Sequence, residues 1–465
     1  MSNDRMSPLD TWFLNLEDGT SHMHIASVCI FEGPPPPFGD VLSMIEGKLP
    51  LVPRYRQVVA TVPLGLGRAV WVDDQHFNID YHVRHSALPA PGGEIDLRKL
   101  VGRVMSQQLD RSKPLWEIWV VEGLEDDRWA ILAKTHHAMV DGVAGTDLLT
   151  VIMDLSPETA PPAPTDWNPR PTPSSLQLAT DAVVGLVKSP YEQVRAVRAS
   201  TRAMRRGVGQ IKEVAAGLSS MTGLVRPTPT SSLNGPIGPH RRYAWASTSV
   251  DDVKVVRKGV GGTFNDVILA AITNGFRELL LSRSESVDRV VRTLVPVSIR
   301  PRDASGKAVG DGTVENKVSA MFAELPIGIA DPVERLAAIT VQMEGLKESK
   351  QAVAGEALTA MSGFAPPMLL GVGMRLANRM PQRNINTVTT NVPGPQLPLY
   401  VAGRRMLKAF PYVPLAGSIR IGVAIFSYDG QVNFGVTGDY DTTADLPVLC
   451  RGIEEGMTEM LKLSA

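Results

Sequence analysis

The run His136-His137-Ala138-Met139-Val140-Asp141-Gly142 gathers the residue types that proton-transfer chemistry needs. An imidazole with a pKa near neutrality is the natural base for taking the proton of an attacking hydroxyl, which contributes about 10²–10⁴-fold to a rate. His137 and Asp141 stand four apart, a spacing that on a regular helix would put them on one face. The residues before His136 read as a strand, however, and Gly142 and Gly145 follow closely, so a tight strand–loop–helix junction is the better reading. In such a loop Asp141 can turn back to fix the backbone and hold the imidazole, leaving one ring nitrogen of His137 open. No G-x-S-x-G or comparable Ser or Cys nucleophile motif is visible, which favours direct attack in a ternary complex over a covalent enzyme intermediate. Two readings compete: a metal site from His136, His137 and Asp141, and a purely structural pair of buried histidines. Adjacent strand residues point to opposite faces, which speaks against the metal. By the same alternation His136 points away from His137 and packs in the core or orients the loop.

The elements that must carry this heptad are readable around it. Residues 116–121 and 129–134 form an expected strand pair across the acidic turn Glu125-Asp126-Asp127, and the second strand runs directly into His136. The segment His-Ile-Ala-Ser-Val-Cys-Ile-Phe at 24–31 is a further strand, stopped by Gly33 and four prolines. Residues 97–109 read as a helix with Leu97, Leu100, Val101, Val104 and Met105 on one stripe. After Gly142 the pattern turns helical through Leu148, Leu149, Ile152 and Met153.

A chain of 465 residues is long enough for two domains. The expected organisation is an N-terminal domain over 1–155, a proline-rich and basic helical linker over 156–239, and a C-terminal domain over 240–465. The linker opens with seven prolines in 156–175 and continues as helix over 176–224, broken near Pro190. The second part carries Lys188, Arg195, Arg198, Arg202, Arg205, Arg206 and Lys212 against three acids. It reads either as a basic amphipathic helix on an anionic membrane or as a solvated connector. In the C-terminal part, residues 243–250, 290–297, 385–392, 421–428 and 431–435 read as strands, the last two hinged on Asp429-Gly430; residues 264–281 and 336–347 read as helices.

Bulk composition narrows the function classes. A net charge of −1 gives no field to recruit nucleic acid. Cys29 and Cys450 lie far apart in no metal-ligand spacing, which excludes a disulfide framework or a cysteine zinc site and fits a reducing cytosol. The polar opening Met1 to Asp10 lacks the layout of a signal peptide. No segment reads as a spanning helix. The nearest, the uncharged residues 357–374, is interrupted by Gly363, Pro366, Pro367, Gly371 and Gly373. It reads as two buried helices around a kink, or as a lipid-contacting wall.

The heptad H-H-x-x-x-D-G resembles the active-site motif of the CoA-dependent acyltransferase superfamily, and the blocks around it are similar to one branch, the bacterial wax ester synthase/diacylglycerol acyltransferases. Ser7-Pro8-Leu9-Asp10 with Phe13 and Glu17 looks like the opening of that family, as do Met23-His24, Phe31-Glu32-Gly33 and Pro114-Leu115-Trp116. Asn265-Asp266, Pro296-Val297-Ser298-Ile299-Arg300, Asn391-Val392-Pro393-Gly394-Pro395, Pro414-Leu415-Ala416-Gly417 and Ser427-Tyr428-Asp429-Gly430 continue the series in family order. The middle segment resembles that of mycobacterial members. Two departures are Glu315 ahead of Asn316, where the family carries Gly, and Thr390 ahead of Asn391.

The resemblance implies an α/β, two-domain chloramphenicol-acetyltransferase-like fold with an active-site tunnel at the domain interface. It implies His137 as general base and Asp141 as the residue holding loop and imidazole. His136, Gly142, Asn265, Asp266 and Asn391 would support them, with polar groups near Asn265 or Asn391 as candidate oxyanion donors. Asn265-Asp266 reads equally as a helix cap, and Pro114-Leu115-Trp116 as packing. The implied reaction moves a long acyl chain from CoA, as a substrate and not a cofactor, to diacylglycerol; a long-chain fatty alcohol is the alternative acceptor. The expected setting is cytoplasmic and peripheral, at the inner membrane or a lipid-droplet surface, with no metal. Remote alternatives are amine acylation of the condensation type and a non-catalytic lipid-binding protein on the same fold.

Overall fold

The computed structural model describes residues 4–63, 67–139, 148–158, 167–188, 231–298, 318–348 and 385–464. The first half of the chain runs β1 (Asp4–Arg5), α1 (Pro8–Leu16), β2 (His24–Phe31), α2 (Phe38–Lys48), β3 (Gln57–Ala60), β4 (Val70–Asp73), α3 (Ile79–His82), β5 (Val83–Ala87), α4 (Glu94–Met105), β6 (Trp116–Leu124), β7 (Arg128–His136), α5 (Leu148–Ile152) and α6 (Ser175–Lys188). The second half runs β8 (Arg241–Ser249), α7 (Val250–Gly259), α8 (Phe264–Ser282), β9 (Val291–Ser298), β10 (Val318–Leu325) and α9 (Pro332–Glu348). It continues through β11 (Thr387–Pro393), β12 (Tyr400–Val401), β13 (Arg404–Tyr412), β14 (Ile421–Tyr428), β15 (Gln431–Asp439) and α10 (Leu446–Ser464). The α/β architecture expected from the sequence is present, built on two six-stranded sheets.

The first sheet has the order β12-β13-β2-β7-β6-β5, the second β10-β9-β11-β14-β15-β8, and β1, β4 and β3 make a small third sheet. The β6–β7 hairpin turns through Asp126 and Asp127, both at positive φ (61° and 55°), which short polar side chains tolerate better than bulky ones. β7 is the centre of the first sheet, antiparallel to both β2 (His24 opposite His136) and β6 (Trp116 opposite Thr135). One face of this sheet, with Cys29, Ile131 and Ile118, packs on α2 through Val41 and Ile45. The other face, with Val28, Leu132 and Val121, packs on the Leu97, Leu100, Val101 and Val104 stripe of α4.

The sheet order does not follow the sequence boundary at 240. β13 lies against β2, with Ala409 opposite Cys29 and Phe410 opposite Val28, so residues 400–412 complete the sheet that carries His136. Trp245 of β8 stacks on Phe410 at 4.5 Å and shares the core beneath α4. Two glycines permit these approaches. A Cβ on Gly435 would fall 1.6 Å from the Pro411 carbonyl oxygen, and one on Gly102 would fall 2.7 Å from that of Arg241. β15 can therefore cross β13, and α4 can lie against β8. In the second sheet α8 and α10 cover one face through Ile272, Phe276, Leu449 and Ile453. Cys29 and Cys450 are both buried and form no disulfide among the described residues.

Residues 357–374 and the basic stretch from Arg195 to Lys212 lie outside the described residues, as do Asp141 and Gly142. Among the described residues no helix is long and apolar enough to cross a membrane.

Candidate active site

Strand β7 ends at His136, and His137 begins a single tight turn over His137–Met139. Two backbone hydrogen bonds fix the exit: His136 N–H donates to the Leu115 carbonyl at 2.9 Å, and His137 N–H to the Met23 carbonyl at 2.8 Å. The Pro114-Leu115-Trp116 block thus acts by packing and position. Trp116 is buried, donates its indole N–H to the Tyr55 carbonyl at 2.8 Å, and stacks on His82 at 4.5 Å.

The two histidine side chains separate to opposite faces, as strand alternation requires. His137 is partly exposed and lies on the Phe13 ring, centroids 3.8 Å apart and planes inclined by 21°. Phe13 sits on α1, whose start is fixed by Ser7: its hydroxyl oxygen accepts the Asp10 N–H at 3.0 Å. The Nδ1 atom of His137 is buried and has no hydrogen-bond partner among the described residues. Burial, reinforced by the neighbouring His136 imidazole, lowers the pKa of His137 to about 4, so the ring is neutral at physiological pH.

His136 is fully buried. Its Nδ1 accepts the Ala138 N–H at 3.0 Å, which assigns the proton of the neutral ring to Nε2, and Nε2 points toward Glu17 Oε2 at 3.6 Å. Glu17, at the end of α1, is the centre of this cluster. His24 Nε2 stands 3.1 Å from its Oε1, and Arg111 donates to Oε2 from Nε at 2.9 Å and from Nη2 at 2.5 Å. Burial opposes ionisation of this carboxyl, but the histidine hydrogen bonds outweigh it and hold Glu17 well below the usual carboxylate range. Burial lowers His24 to about 3. Lys134, two residues before His136 and also buried, donates to the Val104 and Gln107 carbonyls at 3.0 and 2.5 Å and so ties β7 to the C-terminal end of α4.

Along β7 from His137, Thr135 and Ala133 share its face and border a cavity of about 100 Å³, walled mainly by Ile25, Tyr55, Trp116, Ile118 and Leu148. On the second sheet, Asn391 of β11 donates its Nδ2 to Asn265 Oδ1 at 3.3 Å. The bond leaves the Asn265 amide nitrogen as an available donor. Asp266 is instead a cap: its carboxylate accepts the Thr263 N–H at 2.8 Å, and its own N–H donates to the Thr263 hydroxyl at 3.3 Å.

The structure thus brings His136 onto Glu17 and Asn265 onto Asn391. Among the described residues no hydrogen bond joins the two groups. Asp141 and Gly142, expected to hold the imidazole and shape its loop, lie outside the described residues. Sequence reasoning assigned no role to Phe13, Glu17 or Arg111. Phe13 and Glu17 were visible only as part of the opening block, and Arg111 carried no signal because its place depends on the fold.

Comparison with known proteins adds the family. The model of the wax ester synthase/diacylglycerol acyltransferase catalytic domain matches residues 6–268, and that of the WS/DGAT C-terminal domain matches residues 314–461. A Mycobacterium tuberculosis protein named "Probable diacylglycerol O-acyltransferase tgs1" is 37% identical over 464 residues, covering 99% of this chain and 96% of the relative. Another from the same organism, with the corresponding name tgs2, is 32% identical over 478 residues, covering 98% of each. Among solved structures, the wax ester synthase/diacylglycerol acyltransferase of Marinobacter aquaeolei superposes with a TM-score of 0.70 at 24% identity, covering 99% of both chains. The first condensation domain of the calcium-dependent antibiotic synthetase superposes at 0.59 and 15% identity, covering 100% of this chain and 96% of that one, a likeness of fold. With both domain models matched in order and relatives above 30% identity along its whole length, the chain belongs to the wax ester synthase/diacylglycerol acyltransferase family of O-acyltransferases.

Proposed function

We propose that this enzyme transfers a long acyl chain from CoA to the free hydroxyl of a diacylglycerol, releasing triacylglycerol and CoA. The observation that carries the reading is the neutral, partly exposed His137 imidazole, set at the end of a strand whose same face borders an apolar cavity. The acceptor hydroxyl oxygen attacks the thioester carbonyl while the imidazole takes its proton. The tetrahedral intermediate expels the CoA thiolate, and the imidazolium returns the proton to sulfur. The transfer runs without a covalent enzyme intermediate and needs no cofactor. In this scheme the Asn265 amide, oriented by Asn391, donates to the oxyanion. Asp141 holds the catalytic loop and Gly142 shapes it.

Long-chain alcohols are the second acceptor class, in keeping with the dual name of the family, because an apolar site separates two long chains poorly. The enzyme works at the cytoplasmic side of the membrane or on a lipid droplet, held peripherally, since both acceptors are lipids. The test is a purified enzyme supplied with labelled palmitoyl-CoA and with dioleoylglycerol and hexadecanol in competition, beside His137→Ala. Triacylglycerol from the native enzyme and a loss of at least 100-fold in the variant are expected. Product from hexadecanol alone would overturn the choice of acceptor, and equal turnover by His137→Ala would remove the assigned base.

A further inference from the structure

The loop between α1 and β2 carries two of the contacts that set the catalytic turn. At its start Glu17 faces the His136 Nε2, 3.6 Å away, and at its end the Met23 carbonyl accepts the His137 N–H at 2.8 Å. The residues between are closed on themselves. The Asp18 carboxylate accepts the Thr20 and Ser21 N–H groups at 2.8 and 2.7 Å and the Thr20 hydroxyl at 2.9 Å. The Asp18 N–H donates to the Ser21 carbonyl at 3.1 Å. An aspartate that bonds the backbone ahead of it stiffens a turn, and a segment so braced moves as one piece. A displacement at Thr20 therefore reaches Met23, at most about 10 Å along the chain.

Two side chains from elsewhere hold this piece. Gln108, just beyond α4, donates to the Asp18 carbonyl at 2.7 Å. The other is Arg241, from the second half of the chain, where it opens β8, an edge strand of the second sheet. An edge strand has backbone N–H groups with no ladder partner. That of Arg241 donates to the Ser106 hydroxyl oxygen at 2.8 Å, and the Ser106 hydroxyl donates to the Gly102 carbonyl at 2.6 Å, at the C-terminal end of α4. Arg241 is only 3% exposed. Its Nη1 donates to the Gly238 and His240 carbonyls at 2.6 and 2.8 Å, and its Nη2 to the Thr20 carbonyl.

A guanidinium suits this task. It is planar and offers donors in two directions, so the bonds to its own strand fix its plane and aim the remaining edge across to Thr20. Hydrogen bonds from a cation are about twice as strong as neutral ones, and burial keeps water from competing for them. Thr20 and Arg241 are 221 residues apart, so this bond forms only when the two halves of the chain are assembled. Arg241 stands on the α4 side of the first sheet, opposite the face of His137, and so acts through the loop and not on a reactant.

We propose that Arg241 is a positioning residue for His137. It locks the second half of the chain onto the loop that holds Glu17 and the Met23 carbonyl, and through that loop sets the orientation of the imidazole. The inference rests on the reading of His137 as the base and adds what aims it.

The test compares the native enzyme with Arg241→Ala, Arg241→Met and the neighbouring Arg242→Ala, all as full chains and at a temperature where circular dichroism shows them folded. Arg242 lies over Tyr440 at 4.1 Å and binds its carbonyl at 2.7 Å, and makes no hydrogen bond to the 18–23 loop among the described residues. With palmitoyl-CoA and dioleoylglycerol, both Arg241 variants should lose kcat about 10-fold or more with each KM within about twofold, and Arg242→Ala should keep its kcat. Ethylguanidinium replaces the part of the side chain that alanine lacks. It should enter by the groove between α4 and β8 that Arg241 lines, and restore kcat to Arg241→Ala but not to Arg241→Met, whose side chain fills the space. A residue that only supports the fold would lower the melting temperature and leave the kcat of the folded protein alone. Placed on His137→Ala, the Arg241→Ala change should add no further loss, because the group it aims is gone. If Arg241→Ala does not fold, Arg241→Met, which keeps the length and packing, carries the kcat comparison. A kcat within about twofold of native in the folded Arg241 variants, or a rise in KM in place of the fall in kcat, would overturn the assignment. So would an equal loss in Arg242→Ala, no rescue of a folded Arg241→Ala, or losses that multiply in the double variant. Full turnover by His137→Ala would instead remove the base that Arg241 aims, a failure distinct from all of these.

Discussion

Replacing Glu17 by glutamine changes one atom and should disturb the whole rear of the catalytic strand. The side chain is 3% exposed and ionised, and it faces the Arg111 fork, His24 and His136. Removing one partner of a buried charge cluster costs about 3–5 kcal/mol, because the remaining partners keep their desolvation without the attraction. Arg111, whose side chain is 47% exposed, recovers hydration, which places Glu17→Gln near the lower end, about 3 kcal/mol. For a unit of this size that corresponds to a Tm lower by roughly 6–12 °C. The carboxyl is held well below its ordinary range, and a depressed acid stabilises the fold above its unfolded pKa. The deficit should therefore stay constant between pH 5 and 8. Function should suffer separately: His136 loses the group that orients its Nε2–H, its Nδ1 no longer pins the Ala138 N–H, and the turn that carries His137 loosens. The expectation is a kcat reduced about 10-fold or more at 20 °C, where the variant is still folded, with KM for palmitoyl-CoA within twofold. Melting by differential scanning fluorimetry and initial rates under saturating acceptor measure both. A Tm within 2 °C of native together with an unchanged kcat would refute the idea that this carboxylate holds the site.

The acid limb of kcat/KM should lie near pH 4, not near 6.5, because burial holds His137 at about 4; the profile should be flat from pH 5.5 to 8. An apparent pKa of 6 or above in stopped-time assays would contradict this. Stability has its own acid dependence. The unfolded chain takes up protons on His24 and His82 below about pH 6.5, before the folded state does at about 3 and about 4, so stability falls as pH drops through that window. Asn265→Asp keeps the acceptor for Asn391 and removes the spare N–H donors, so kcat should fall about 10²–10³-fold with little change in KM. A tenfold rise in KM at constant kcat would instead mark Asn265 as a ground-state binding residue.

What could be read in the sequence depended on how local its cause was. The β6–β7 hairpin was legible because period-two alternation meets an acidic turn, and α8 because Thr263 and Asp266 cap a long apolar run. The His136/His137 division followed from strand alternation alone. β13 was not legible: Pro411 interrupts its pattern, and its partner β2 lies more than 370 residues away in the chain. The helix at 446–464 was not among the expectations, although Leu446, Leu449, Ile453, Met457 and Met460 carry its period. The convergence of Glu17, His24, Arg111 and His136 has no local signature, since each arrives on a different element.

The low basicity of His137 bears on how one imidazole serves both halves of the reaction. A ring with a pKa of about 4 is a weak base toward an alcohol, and the first proton transfer runs uphill. Such a transfer succeeds only in step with C–O bond formation, as the hydroxyl proton becomes acidic, so the burden falls on orientation and on stabilising the oxyanion. The return step has the opposite balance. An imidazolium of pKa about 4 facing a thiolate whose conjugate acid titrates near 8.5 gives up its proton over a gap of roughly 4 units. Burial therefore eases the return of the proton at the expense of its uptake, and keeps the base neutral across the whole physiological range. The positioning this demands is what the structure supplies: Phe13 beneath the ring, the Met23 carbonyl on its backbone, and His136 held by Glu17 on the opposite face of the strand. On this argument, substitution at Glu17 should depress kcat without moving the acid limb of the profile, whereas Phe13→Ala, which uncovers the His137 ring, should move the limb upward.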